Sequence, residues 1–335
     1  MVNCGGGTFS LLPAILQDMQ SEEGYMNWKQ PDNSSIISKL KRPEGKIRLI
    51  IDSDAYNEID DQYAISYALK RTDKVQLEAV YAAPFLNELV SSVCDGMEKS
   101  YEEIKKLVHI LGRDDLAERV YRGSEDYLKD EDTPQESDAA KDLIRRAMEL
   151  PEGEILYIAA IGAITNIASA LLMEPGIADR IVVVWLGGHA YYWKDTKEFN
   201  MKQDIAAARV VFGSGVPMVQ IPCMGVASHV ATTEPELRES LKGKSRIGDY
   251  LYQITCDIAA RQEGKYWSRV IWDITTLMWL VGPKDCLTEH LAHSPIVTYE
   301  GTYSFEESRH LIKVVNWLDR DLIFEELFST LEERQ

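Results

Sequence analysis

From residue 46 to about residue 221, short β-branched apolar runs alternate with stretches whose apolar residues recur at helical spacing. Residues 47–51, 77–82, 155–160, 181–186 and 216–221 read as strands, and 61–71, 101–111, 137–149, 163–172 and 204–212 as helices. Strands alternating with helices predict βαβ units, and so an α/β fold with a mostly parallel, Rossmann-like open sheet flanked by helices. The unbroken apolar run Ile181–Leu186 suits a strand covered on both faces. After Thr232 the pattern turns helical, over 235–241, 247–261 and 270–280. A strand or hairpin at 295–303, a strand at 311–315 and a helix at 319–331 finish this helical C-terminal part. Residues 1–44 are weakly periodic and broken by Gly5-Gly6-Gly7, Pro31-Asp32-Asn33 and Pro43-Glu44-Gly45, so they read as an N-terminal extension. No linker-like segment divides 45–335, which reads as a single catalytic domain.

With 335 residues, 45% of them hydrophobic, the chain can bury a sizeable core. A net charge of -18 excludes a nucleic-acid backbone or an anionic membrane surface as main partner, because no basic surplus exists to neutralise phosphates. No apolar run reaches the roughly 18 to 20 residues of a membrane span. The first residues carry no positive charge before the apolar stretch, so no secretory leader is expected. The five scattered cysteines have no CxxC pair and imply a reduced, cytoplasmic protein.

Candidate chemistry concentrates directly after the first predicted strand, in Asp52-Ser53-Asp54-Ala55-Tyr56-Asn57-Glu58-Ile59-Asp60-Asp61. Ligands of α/β sheets bind beyond the carboxyl ends of the strands. Four carboxylates this close repel one another by about 1 kcal/mol per pair at 4 Å in water, and about 4 at an effective dielectric of 20. A bound cation would remove that cost, and an oxygen-only donor set favours Ca²⁺ or Mg²⁺. Asp60 and Asp61 could instead open the helix that follows, where acidic residues are favoured. That reading explains Asp52 and Asp54 poorly, because Asp is disfavoured in strands. An EF-hand fails, since Tyr56 and Asn57 stand where its loop needs Asp or Asn and Gly.

The segment resembles the Asp-x-Asp-Pro-Gly-x-Asp-Asp signature of the inosine-uridine-preferring nucleoside hydrolases, with two extra residues. Three later segments are similar to that family in order and spacing. They are Ile161-Gly162-Ala163-Ile164-Thr165-Asn166-Ile167-Ala168, then Trp185-Leu186-Gly187-Gly188 with Glu198-Phe199-Asn200 and Asp204, and Val270-Ile271-Trp272-Asp273. The resemblance implies calcium-dependent hydrolysis of ribonucleosides to base and ribose. It makes Asp54 both ligand and general base, Asp61 and Asp273 calcium ligands, and Ile161 a ligand through its main-chain carbonyl. Asp60, Glu198 and Asn200 would hold the ribose, with Asp52 as support from behind. Residues two apart on an extended backbone share a face, which would put Glu198 and Asn200 side by side.

Many members carry His directly before the last Asp. Here Trp272 stands there, which resembles the purine-specific branch, where an aromatic ring stacks on the base. Asn87 is the candidate replacement for a Gly-Asn that the family places after the second strand. His189 and His229 lie near candidate loops, and Asp204 reads as a helix N-cap. The family implies a nucleoside as partner and a homo-oligomer, dimer or tetramer. Two alternatives stay open: a phosphatase of the haloacid dehalogenase type, which also begins strand-Asp-x-Asp but has Thr or Val where Tyr56 stands, and a non-catalytic nucleoside- or ribose-binding protein.

Overall fold

The computed structural model describes residues 28, 31–261 and 266–332; the rest of the predicted N-terminal extension lies outside these. The extension's described part is built into the body. Helix α1 (Asn33–Lys39), capped by Asp32, buries Ile36, and Leu40 follows it into the core.

The body alternates as its periodicity predicts: β1 (Ile47–Ser53), α2 (Asp60–Lys70), β2 (Val75–Ala82), α3 (Val93–Ile110), β3 (Val120–Arg122), α4 (Asp138–Glu149), β4 (Leu156–Ala160), α5 (Thr165–Met173) and β5 (Ile181–Leu186). There follow α6 (Phe199–Gln203), α7 (Ile205–Gly213), β6 (Met218–Ile221), β7 (Ala231–Thr232), α8 (Glu234–Ser240), α9 (Arg246–Ala259) and β8 (Arg269–Val270). The chain closes with α10 (Ile274–Val281), β9 (Leu287–His293), β10 (Ile296–Val297), β11 (Tyr303–Ser304), β12 (Leu311–Leu318) and α11 (Arg320–Leu331).

Eight strands form one sheet in the order β3-β2-β1-β4-β5-β6-β12-β9. The first six follow the doubly wound order, and every pairing is parallel except that of β12 with the edge strand β9. Both faces are covered, as expected for a parallel sheet. On β5, Val182, Val184 and Leu186 enter one core cluster while Ile181, Val183 and Trp185 enter the other.

Several elements depart from the sequence reading. β3 and β9 are short or mixed in polarity and carry little periodic signal. The predicted helix at 270–280 begins only at Ile274, because Arg269 and Val270 pair with β7. The predicted hairpin at 295–303 forms from β10 and β11.

Candidate active site

In this strand order the chain winds outward from β1 in one direction and from β4 in the other, so loops leaving those neighbours diverge and open a crevice. An open cavity of about 240 Å³ lies there. It falls below the roughly 300 Å³ at which pockets for drug-sized ligands begin, and so suits a small metabolite. Its walls include Asp54, Asp60, Asp61, Ile161, Glu198, Asn200, Trp272 and Asp273. Segments more than 200 residues apart in sequence thus share one site, and eight of the nine residues predicted to form it meet there.

Asp60 and Asp61 occupy the first turn of α2, whose N-cap, Ile59, offers no side-chain cap. The pair thus opens the helix and also lines the cavity. Asp273 takes the N-cap position of α10 but caps nothing with its side chain. Its carboxylate instead joins Asp60 and Asp61, and one oxygen of each lies within 4.8 Å of the others.

Small neighbours set this packing. The Ser53 hydroxyl donates to Asp61 Oδ1 at 2.6 Å, and the Trp272 main-chain N–H donates to Asp60 Oδ2 at 3.1 Å. A Cβ on Gly162 would stand 3.2 Å from the Asp54 carboxyl carbon and 3.0 Å from Ala83 Cβ, so a side chain there would crowd Asp54.

These acids are all buried, and the cost shows in their protonation. Burial first, then the charges of Asp61 and Asp60, push the Asp54 carboxyl well above the ordinary carboxylate range. Asp60 is raised by burial and by Glu58 and Asp61, against the pull of Arg269. Asp273 is raised by burial and the three other acids, and Asp61 hydrogen-bonds to it directly. Asp54 Oδ2 is buried without a hydrogen-bond partner. Buried unpaired carboxylate oxygens are costly, and a hard cation satisfies several of them together. The oxygen-only group of Asp60, Asp61 and Asp273 fits such an ion, and Asp54 and Ile161 line the same cavity.

Asp52 lies behind the cavity wall, fully buried. The Asn166 amide donates to its Oδ1 at 2.8 Å, and its own carbonyl receives the Ile161 N–H at 2.8 Å, which ties the ends of β1 and β4 together. Burial raises the Asp52 carboxyl to about 7, and the Asn166 hydrogen bond opposes this. Thr165 and Asn166 do not cap α5; Thr165 bonds to Asp204, which is the N-cap of α7 as expected.

The extended backbone expected at 198–200 is corrected. Glu198 caps the short helix α6, its carboxylate accepting the N–H groups of Gly188, Asn200 and Met201. Asn200, inside the helix, donates to the Leu186 and Ile161 carbonyls at 3.0 and 3.3 Å. Both still line the cavity, held by main-chain groups rather than by strand pleating. Gly188 has φ +74°, and the space where its side chain would lie is filled by Tyr303 and Thr196, not left for a ligand.

Asn87 is the predicted residue that does not reach the wall; it donates to Asn57, which does. His229 is exposed and outside the cavity, whereas His189 lines it. Sequence reasoning missed Asn57, Glu58, Cys223 and Met224 as lining residues. Cys223 and Met224 lie just past β6, after Pro222, so position near a strand end was the one signal available for them.

A profile of the inosine-uridine preferring nucleoside hydrolases matches residues 49–325. The chain belongs to this family. Among curated relatives, a putative pyrimidine-specific ribonucleoside hydrolase RihB of Shigella boydii is 42% identical over 73 residues, 21% of this chain and 30% of that one. The RihB of Shigella flexneri is 29% identical over 149 residues, 42% of this chain and 46% of its own length. These matches thus span less than half of the curated relatives. Solved structures share the fold over nearly their whole length. A plant nucleoside hydrolase, PpNRh1, is 20% identical with a TM-score of 0.69, covering 86% of this chain and 99% of that one. A purine-preferring ribonucleoside hydrolase from Gardnerella vaginalis is 20% identical with a TM-score of 0.65, covering 85% and 98%.

Proposed function

We propose that this chain hydrolyses the N-glycosidic bond of ribonucleosides, purine ribonucleosides foremost, to free base and ribose, using a calcium ion. The buried group Asp60, Asp61 and Asp273, with the unpartnered Asp54 Oδ2 beside it, carries the proposal. Asp54, Asp61, Asp273 and the Ile161 carbonyl would hold the ion. When bound, calcium supplies a Lewis acid that eases deprotonation of water and anchors vicinal hydroxyls.

The chain's own groups do the rest. Asp54, its carboxyl raised by burial and by the charges of Asp61 and Asp60, would accept the proton of the attacking water. Asp60, fixed by the Trp272 N–H, accepts from a ribose hydroxyl, and Asn200 and Glu198 hold the far side of the sugar. Trp272 forms part of the wall, where its ring can stack on a base; such stacking is worth about 1 to 3 kcal/mol and tolerates different bases. Asn87 acts through Asn57 rather than on the substrate.

We retain residues 45–335 as the catalytic domain, placed in the cytoplasm and assembled as a dimer or tetramer, which light scattering checks. The described part of segment 1–44 serves as its support. No described helix is long and apolar enough to cross a membrane. The family match displaces the phosphatase alternative.

The test offers inosine, adenosine, guanosine, uridine and cytidine and measures free ribose, with and without a chelator. Purines should be turned over fastest, chelation should stop turnover, and Asp54→Ala should lower kcat by about 10²- to 10⁴-fold. No ribose from any nucleoside would leave only the binding-protein alternative.

A further inference from the structure

Besides its carboxylates, the cavity is lined by His189, Lys197, Phe199, Met224 and Trp272. Those walls form the natural seat for a planar, partly apolar base. When the C1′–N bond breaks, its electron pair stays with the base, so negative charge builds on an atom lying against them. Ionised carboxylates can only accept hydrogen bonds. A donor must therefore come from another lining group; the Asn200 amide is already bonded to the Leu186 and Ile161 carbonyls and Lys197 is exposed to solvent, which leaves His189 as the partly buried candidate.

His189 is the one histidine among the described residues lining this cavity. It sits on the loop after β5, and its ring is fixed on two sides. The Met224 N–H donates to Nδ1 at 3.3 Å, and the Trp193 ring meets it edge-on with centroids 6.2 Å apart. Its main-chain N–H bonds to Thr196 at 3.3 Å, which pins the loop. With Nδ1 accepting, the neutral ring carries its proton on Nε2, at the other end of the ring. Burial lowers the imidazole below its ordinary value, against the opposing pull of Asp195 and of a hydrogen bond to the Gly188 main chain, which favours the neutral ring at pH 7.

We infer that His189 is a catalytic residue that donates a hydrogen bond from Nε2 to the departing base. This inference rests on the nucleoside hydrolysis proposed above. In the step, the water oxygen bonds to C1′ and its proton passes to Asp54. The C1′–N bond breaks, and the base holds the electron pair under the Nε2–H hydrogen bond until it takes a proton from solvent. His189 ends as it began.

The experiment compares two leaving groups on one sugar: inosine, whose purine anion is the more basic, and 4-nitrophenyl β-D-ribofuranoside, whose less basic nitrophenolate leaves with less assistance. In His189→Ala, kcat on inosine should fall at least about tenfold while kcat on the nitrophenyl riboside stays within about threefold. His189→Gln, which keeps an N–H donor, should retain more inosine turnover than His189→Ala. Equal losses on the two substrates, no loss on inosine, or equal inosine rates in the two variants would overturn the role of His189. If the unaltered protein releases ribose from neither substrate, the functional reading itself fails.

Discussion

Asn166 shows how one side chain can hold a site it does not touch. Its amide donates to Asp52 Oδ1 at 2.8 Å, while its Oδ1 accepts both the main-chain N–H and the hydroxyl of Ser124, at 2.8 and 2.9 Å. All three residues are fully buried. Asn166→Ala would strand a carboxylate oxygen and an N–H away from water. Each such orphan costs roughly 1 to 3 kcal/mol. We expect urea denaturation to show a loss of at least about 2 kcal/mol, with a further fall in kcat as Asp52 and the end of β1 shift. An unchanged unfolding midpoint would refute this account.

At the scale of elements, α10 begins at the ligand candidate Asp273, so what fixes that helix also fixes the site. Its opposite end is closed by a residue from outside the sheet. Arg42 donates to the carbonyls of Met278, Trp279 and Lys284 at 2.7, 2.9 and 2.8 Å, and more weakly to Gly282 and Pro283. Helix C-termini leave carbonyls unsatisfied and attract cations. Arg42→Ala should therefore cost about 2 kcal/mol of stability, read by chemical denaturation. The added expectation is weaker cation affinity by calorimetry. Full retention of both would show that α10 is held by packing alone.

For the whole molecule, the buried acids couple stability to pH and to the cation. Asp52, raised to about 7, and Asp54, Asp60, Asp61 and Asp273, all raised above their unfolded values near 4, bind protons more tightly when folded. Without a cation, the contribution of Asp52 and Asp61 is complete below pH 4 and is lost as pH rises through about 7, and that of Asp54, Asp60 and Asp273 is likewise lost as pH rises through their raised values. A divalent cation takes the place of those protons. The gain in melting temperature from calcium over chelator should accordingly be small at pH 4 to 5 and grow up to about pH 7.5. A gain that is flat or falling with pH would contradict the buried-carboxylate site. Ion pairs such as Arg146 with Asp142 and Glu78 affect both arms alike, so the difference isolates the site.

Periodicity alone determined the βαβ plan of this chain, because strands buried on both faces and amphipathic helices write their burial directly into the residue pattern. Residue type at a strand end determined the site's first half: Asp54, Asp60 and Asp61 could be read from their crowding. The local pattern could not decide how Glu198 and Asn200 are presented, since a one-turn helix capped by its own carboxylate has too few residues to show a period. Nor could it place Asn87 behind Asn57, or bring His189 and Met224 together from separate loops. Those arrangements follow from the sheet order, which sets β1 beside β4 and gathers Asp273 from far along the chain. Tertiary structure decided them because burial, close approach and hydrogen bonding depend on neighbours in space, which the sequence lists only as neighbours in the chain.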